Sequence, residues 1–145
     1  MDDVKIIRHS SDKPFDVFLA DLVKAAEAEG FSIHHRDKSD LVAFYRGLGV
    51  EMPAGYQHAM IQICKPENSG KSLPANPERS VFVQKFFFVF NKGGKTEVRF
   101  LAYSAKLLGD LLGHNTFEQG PSDDMFAERM QGTFATMEKI AQAAA

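Results

Sequence analysis

Val83-Gln84-Lys85-Phe86-Phe87-Phe88-Val89-Phe90-Asn91 runs into Lys92-Gly93-Gly94-Lys95 and out again as Thr96-Glu97-Val98-Arg99-Phe100-Leu101-Ala102. Two β-rich runs joined by paired glycines predict a hairpin, because both glycines can take the positive φ that a tight reversal needs. The first run is apolar in both alternations: Phe86, Phe88 and Phe90 fall on one face, Phe87 and Val89 on the other. Such a strand belongs in the middle of a sheet, covered on both sides.

Neighbours for that strand lie upstream. Residues 57–64 form a further strand with Ala59, Ile61 and Ile63 on one face and His58, Met60, Gln62 and Cys64 on the other. Residues 31–36 read as a strand too, with Ser32, His34 and Arg36 opposite Phe31, Ile33 and His35. Residues 4–8 make a short first strand. Between these lies an amphipathic helix, with Phe15, Phe18, Leu19, Leu22, Val23 and Ala26 at helical spacing. Ser11 or Asp12 offers its cap, Pro14 suits its first turn, and Gly30 ends it.

Ser39-Asp40 caps a short helix through Tyr45, and Pro66 opens another over 67–73 that Asn76-Pro77 breaks. Residues 103–112 form a short helix after the hairpin. Gly120-Pro121 and the capping Ser122 then introduce a final helix, with Asp123 and Asp124 complementing its dipole. Its apolar stripe is Phe126, Met130, Phe134, Met137 and Ala141.

The fold expected is α+β: a two-layer sandwich with a mainly antiparallel sheet of four to five strands, helices on one face and a C-terminal helix. Cutting 145 residues into two would leave pieces too small for good cores, so 1–145 reads as one domain with a helical extension over 117–145. A formal charge of −2 argues against a nucleic-acid binder, which would be clearly basic. Phe86-Phe87-Phe88-Val89-Phe90 is the longest apolar run and far too short to cross a membrane. The N-terminal Met1-Asp2-Asp3-Val4 is no secretory signal, and a single cysteine, Cys64, allows no internal disulfide. Both point to the cytoplasm.

Met60-Ile61-Gln62-Ile63-Cys64-Lys65-Pro66, Asn76-Pro77-Glu78, the apolar strand over 81–90 and Gly94-Lys95-Thr96-Glu97-Val98 follow one another in a recognisable order. With the Glu29-Gly30-Phe31 step, this order resembles the domain-of-unknown-function 302 family over residues 4 to 113. That family is prokaryotic and uncharacterised, and the resemblance implies an α/β sandwich, often dimeric, with no established activity. It departs at Ser80-Val81-Phe82-Val83-Gln84, where the family carries a Leu-Pro-Cys segment, and from Phe117 onward, beyond the usual core.

No catalytic set emerges. There is no nucleophile elbow, and Gly70-Lys71-Ser72 fails as a P-loop because Lys65 stands where the upstream glycine belongs. His34 and His35 face opposite ways on a strand, and no zinc spacing occurs, so no metal is expected. The aromatics of the hairpin with Arg99 and Lys85 could stack bases, but alternating phenylalanines in a buried strand are ordinary core. No particular cofactor is indicated.

The function expected is non-catalytic binding of an unidentified small molecule or partner. Its seat is the sheet face and the strand-to-helix turn at Cys64-Lys65-Pro66, with Cys64, Lys65, Gln62, His58, His34 and Arg99 as candidate residues. The alternative is a thiol-dependent redox or transfer enzyme, since a helix N-terminus and a neighbouring cation both favour thiolate at Cys64. Against it, a free cysteine is most often a small buried hydrophobe, and the chain holds no second cysteine to resolve a disulfide. The surplus of apolar surface calls for a homodimer with the helix over 122–145 near or in its interface.

Overall fold

The computed structural model describes residues 2–145. In chain order the elements begin with β1 (Val4–Ser11), α1 (Phe15–Ala28), β2 (Ser32–His34), α2 (Leu41–Gly47), β3 (His58–Cys64) and α3 (Pro66–Ala75). There follow α4 (Ser80–Val83), β4 (Lys85–Lys92), β5 (Lys95–Tyr103), α5 (Ala105–Leu112) and α6 (Asp123–Ala144). The strands make one five-stranded sheet in the order β1-β5-β4-β3-β2, antiparallel throughout. Gly93 and Gly94, at φ 61° and 78°, make the reversal between β4 and β5. The aromatic strand β4 is therefore central.

Register sorts the side chains into two faces. Ala59 and Ile61 of β3 sit opposite Val89 and Phe87 of β4, and Val89 in turn sits opposite Val98 of β5. These residues, with Ile63 and Phe100, are at most 2% exposed and meet Phe18, Leu22 and Ala26 of α1. Met137, Ile140 and Ala141 of α6 complete the same core. Each large side chain so buried contributes about 1.5–3 kcal/mol from apolar area alone. Phe87 and Phe100 add an edge-to-face contact with ring centroids 5.6 Å apart.

The second face differs. Phe88 lies between Met60 of β3 and Arg99 of β5, and Arg99 faces Arg8 of β1. No strand side chain on this face is fully buried, and Ile6 and Leu101 are 46% and 43% exposed. The expectation that β4 is covered on both sides thus holds for the Phe87 face only. The reason is the placement of α6, which lies beside α1 on the one face instead of closing the other.

Three local readings change. The strand expected over 31–36 shrinks to Ser32–His34, because His35 is left-handed at φ 51° and Arg36–Lys38 winds into a 3-10 turn. Neither Ser11 nor Asp12 caps α1. Pro14 stands at its cap with no side-chain bond, and the Ser11 hydroxyl instead accepts from the Lys13 amide and donates to the Ala145 carbonyl. The strand expected from residue 81 or 83 begins only at Lys85. Pro77–Arg79 is a 3-10 turn continuing into α4, wound there because Asn76 accepts from the Glu78 amide and Arg79 is drawn inward. Among the described residues no helix is long and apolar enough to cross a membrane.

Candidate functional site

Cys64 ends β3, Lys65 stands at the N-cap of α3 and Pro66 occupies its first turn. Lys85 begins β4 next to that point, since Ile63 and Lys85 are register partners. The long helix α6 passes in front. Between α3 and α6, over these strand ends, a cleft of about 480 Å³ opens, within the usual size for small-molecule sites. Phe31, Val83, Phe126 and Met130 give it apolar walls, and Ser69, Thr133 and Thr136 supply hydroxyls.

Three cations line this cleft: Lys65, Lys85 and Arg129. No carboxylate lines it, and among the described residues none of the three forms an ion pair. The Lys65 ammonium lies 4.7 Å from the Phe31 ring centroid, and the Lys85 ammonium donates to the Val83 carbonyl at 2.9 Å. Burial pushes the Lys85 amine down to about 8, against a smaller opposite pull from the Cys64 sulfur. The Cys64 sulfur is 3.2 Å from the Ser69 hydroxyl.

A fourth cation lies behind the cleft and is fully satisfied. Arg79 and Asp123 are both 0% exposed. The guanidinium donates to Asp123 at 3.0 and 3.2 Å, to the Ser72 carbonyl and hydroxyl at 3.1 Å, and to the Pro121 carbonyl at 2.8 Å. Phe117 and Phe126 stack on it. Burial works against the charged form of Asp123, yet bonds from Asn76, the Asn115 backbone, Arg79 and the Asn115 amide hold its carboxyl below the usual value. This knot fixes the start of α6 against α3, and so fixes the cleft's walls. Asp123 therefore does more than complement a helix dipole.

The six candidate residues are not brought together. Cys64 and Lys65 line the cleft, whereas His34, His58, Gln62 and Arg99 lie on the uncovered sheet face. There His34 faces Gln62, with its Nε2 buried and without a hydrogen-bond partner. His58 bonds the Tyr56 hydroxyl and packs on Phe90, and burial lowers its pKa. Arg99 covers the same Phe90 ring and pairs with Glu97 at 3.5 Å. Lys85 alternates with Phe87 and so points away from Arg99, which removes the base-stacking arrangement. Among the described residues no three His, Cys, Asp or Glu side chains converge as a metal set.

Sequence reading missed Lys85 and Arg129 as site residues. For Lys85 a signal existed: it shares the alternation of Phe87 and Val89, so a lysine stands on a face that is otherwise core. Arg129 gave none, since an arginine on the polar side of a helix reads as solvated.

An antiparallel sheet with every long helix on one face defines an α+β sandwich of two layers, open on its second face. The crystal structure of an uncharacterized conserved protein, DUF302, from Bacillus stearothermophilus is similar to it, with a TM-score of 0.73. The match covers 97% of this chain and 98% of that one at 11% sequence identity, so the two share a fold. No protein-family model matches the sequence, and no curated protein does.

Proposed function

We propose that this domain binds small organic anions that carry an apolar body, in the cleft where Cys64-Lys65-Pro66 turns from strand to helix. The observation that carries this reading is the set of three cations without carboxylate partners around an apolar-walled cavity. Some cations elsewhere pair with acids, such as Lys13 with Asp21 and Lys139 with Glu29, and others stand alone on the surface; these three differ in sharing one cavity whose lining holds no acid. Half-buried Lys65 and Lys85 and the exposed Arg129 give this one cavity a positive lining whose field an anion would lower. Phenylacetate is a suitable probe. It should raise the unfolding temperature in proportion to its occupancy, and added salt should weaken the effect. Arg129→Ala should weaken binding roughly tenfold, as expected for the loss of one charge-assisted bond. No shift, or one identical in Arg129→Ala, rejects the reading.

A second reading concerns the uncovered face, where Phe86, Phe88, Phe90 and Met60 form a half-buried apolar row edged by the exposed Ile6 and Leu101. Four strands of 7 to 9 residues, flanked by the 3-residue β2, lie about 4.8 Å apart and present on the order of 500 Å², against the ~800 Å² per partner of a stable interface. A second copy meeting this face would form a two-fold dimer. The interface moves from α6 to the sheet, because the stripe of α6 is already buried in its own core. Sedimentation should give a dimer at micromolar concentration and a monomer for Phe88→Lys; a monomeric wild type rejects it.

A further inference from the structure

Resting on the anion-binding reading of the cleft, we infer that its ligand carries a carbonyl group beside the acid, and that Lys85 captures this carbonyl as an imine. Three observations converge. Lys85 is placed in the floor of the cleft by the start of β4, with its amine held toward the Val83 carbonyl and no acid beside it. Two other cations, Lys65 and Arg129, line the same cavity and are free to hold a carboxylate while the amine meets the neighbouring carbon. The apolar walls at Val83, Phe126 and Met130 offer a surface for an apolar tail, which would hold the carbonyl carbon at the amine.

The chemistry needs a neutral amine, since only the lone pair attacks a carbonyl. With its amine at about 8, roughly a quarter of Lys85 is neutral at about pH 7.5, against about one in a thousand for an ordinary lysine. The step balances without a co-reactant. The nitrogen lone pair forms the C–N bond, the carbonyl oxygen leaves with both amine hydrogens as water, and a C=N bond remains. No electrons are gained or lost, so the capture is reversible and suits a binding site as well as it would an enzyme. The ligand class is an α-keto acid or an aldehyde acid with a small apolar tail.

Phenylpyruvate and phenylacetate differ by this carbonyl unit and serve as a matched pair. The purified protein is mixed with each, pulsed with borohydride, and read by intact mass and peptide mapping. Phenylpyruvate should leave one adduct, on Lys85, and phenylacetate none. Lys85→Arg keeps the positive charge but cannot form the imine, so it should lose the adduct at least tenfold, while the thermal shift of the wild type with phenylacetate reports on anion binding alone. Adducts scattered over surface lysines, equal in wild type and Lys85→Arg, overturn the inference, as does thermal binding of both acids with no adduct. In that last case anion binding survives and only the imine fails. If neither acid shifts the wild type, the anion reading fails and takes the imine with it.

Discussion

Arg79 and Lys85 are six positions apart, and both are cations withdrawn from water on the helix side of the sheet, yet their surroundings are opposite. Arg79 directs its guanidinium hydrogens at a buried carboxylate, a hydroxyl and two carbonyls, between two aromatic rings. Lys85 has one carbonyl and an open cavity. A buried charge with every donor satisfied is committed to holding the fold together, because any ligand would have to displace bonds already made. A charge left short of partners is available for chemistry. The contrast separates a cation committed to the fold from one open to a ligand, without appeal to residue type.

The largest test of this contrast removes the acid from the satisfied pair. Asp123→Ala leaves the guanidinium buried and unpaired, and should cost about 3–5 kcal/mol in urea unfolding. The dependence on pH has a definite sign. Asp123 is held below its ordinary carboxyl value in the folded chain, so its contribution is present above the unfolded value, about pH 4, and is lost as pH falls through the lower folded one. A wild type and variant of equal stability at pH 7 would show that the knot does not hold the fold.

A smaller effect of opposite direction should come from Lys85→Met, which removes a charge that has too few partners. At neutral pH the wild type carries the full burden of burying that ammonium, so the variant should gain on the order of 1–3 kcal/mol. Here the folded pKa lies below the unfolded one, at about 8 against 10.5. Between these values the unfolded chain holds more protons than the folded chain, so wild-type stability rises with pH and the variant's gain shrinks. Urea midpoints at about pH 7 and about pH 10 measure it. A loss of stability at neutral pH would place Lys85 with Arg79 and dissolve the distinction.

How much of this was legible depended on the range of the interactions involved. The hairpin, the stripe of α1 and the stripe of α6 follow from periodicity within a few residues, and Gly30 ends α1 as its sequence position suggests, at φ 90°. What periodicity leaves open is the face on which α6 lands, since an apolar stripe fits either side of a central aromatic strand. Arg79 sat in an Asn-Pro-Glu-Arg turn that reads as solvated. Its acid lies 44 residues downstream, and nothing local announces the pairing or the helical turn at Ser80–Val83 that accompanies it. The candidate site was half visible. Cys64 and Lys65 stood out through the strand-to-helix turn, while Arg129 reaches the cleft only because the Arg79 knot fixes where α6 begins.

The order of strands across the sheet also sets an order in time. β4 and β5 are neighbours in sequence, joined by a reversal of two glycines, and can pair as soon as both exist. β1 is made first but pairs only with β5, Val4 against Tyr103 and Ser11 against Thr96. Its edge therefore stays unpartnered until β5 has been made, and the large loop it must close makes this a slow step. During synthesis the aromatic hairpin is the template, the first of the five strands is recruited late, and α6, made after all five, seals them. A nascent chain stalled before α6 would leave Phe87, Val89, Val98 and Phe100 covered by α1 alone, a half-closed core open to aggregation.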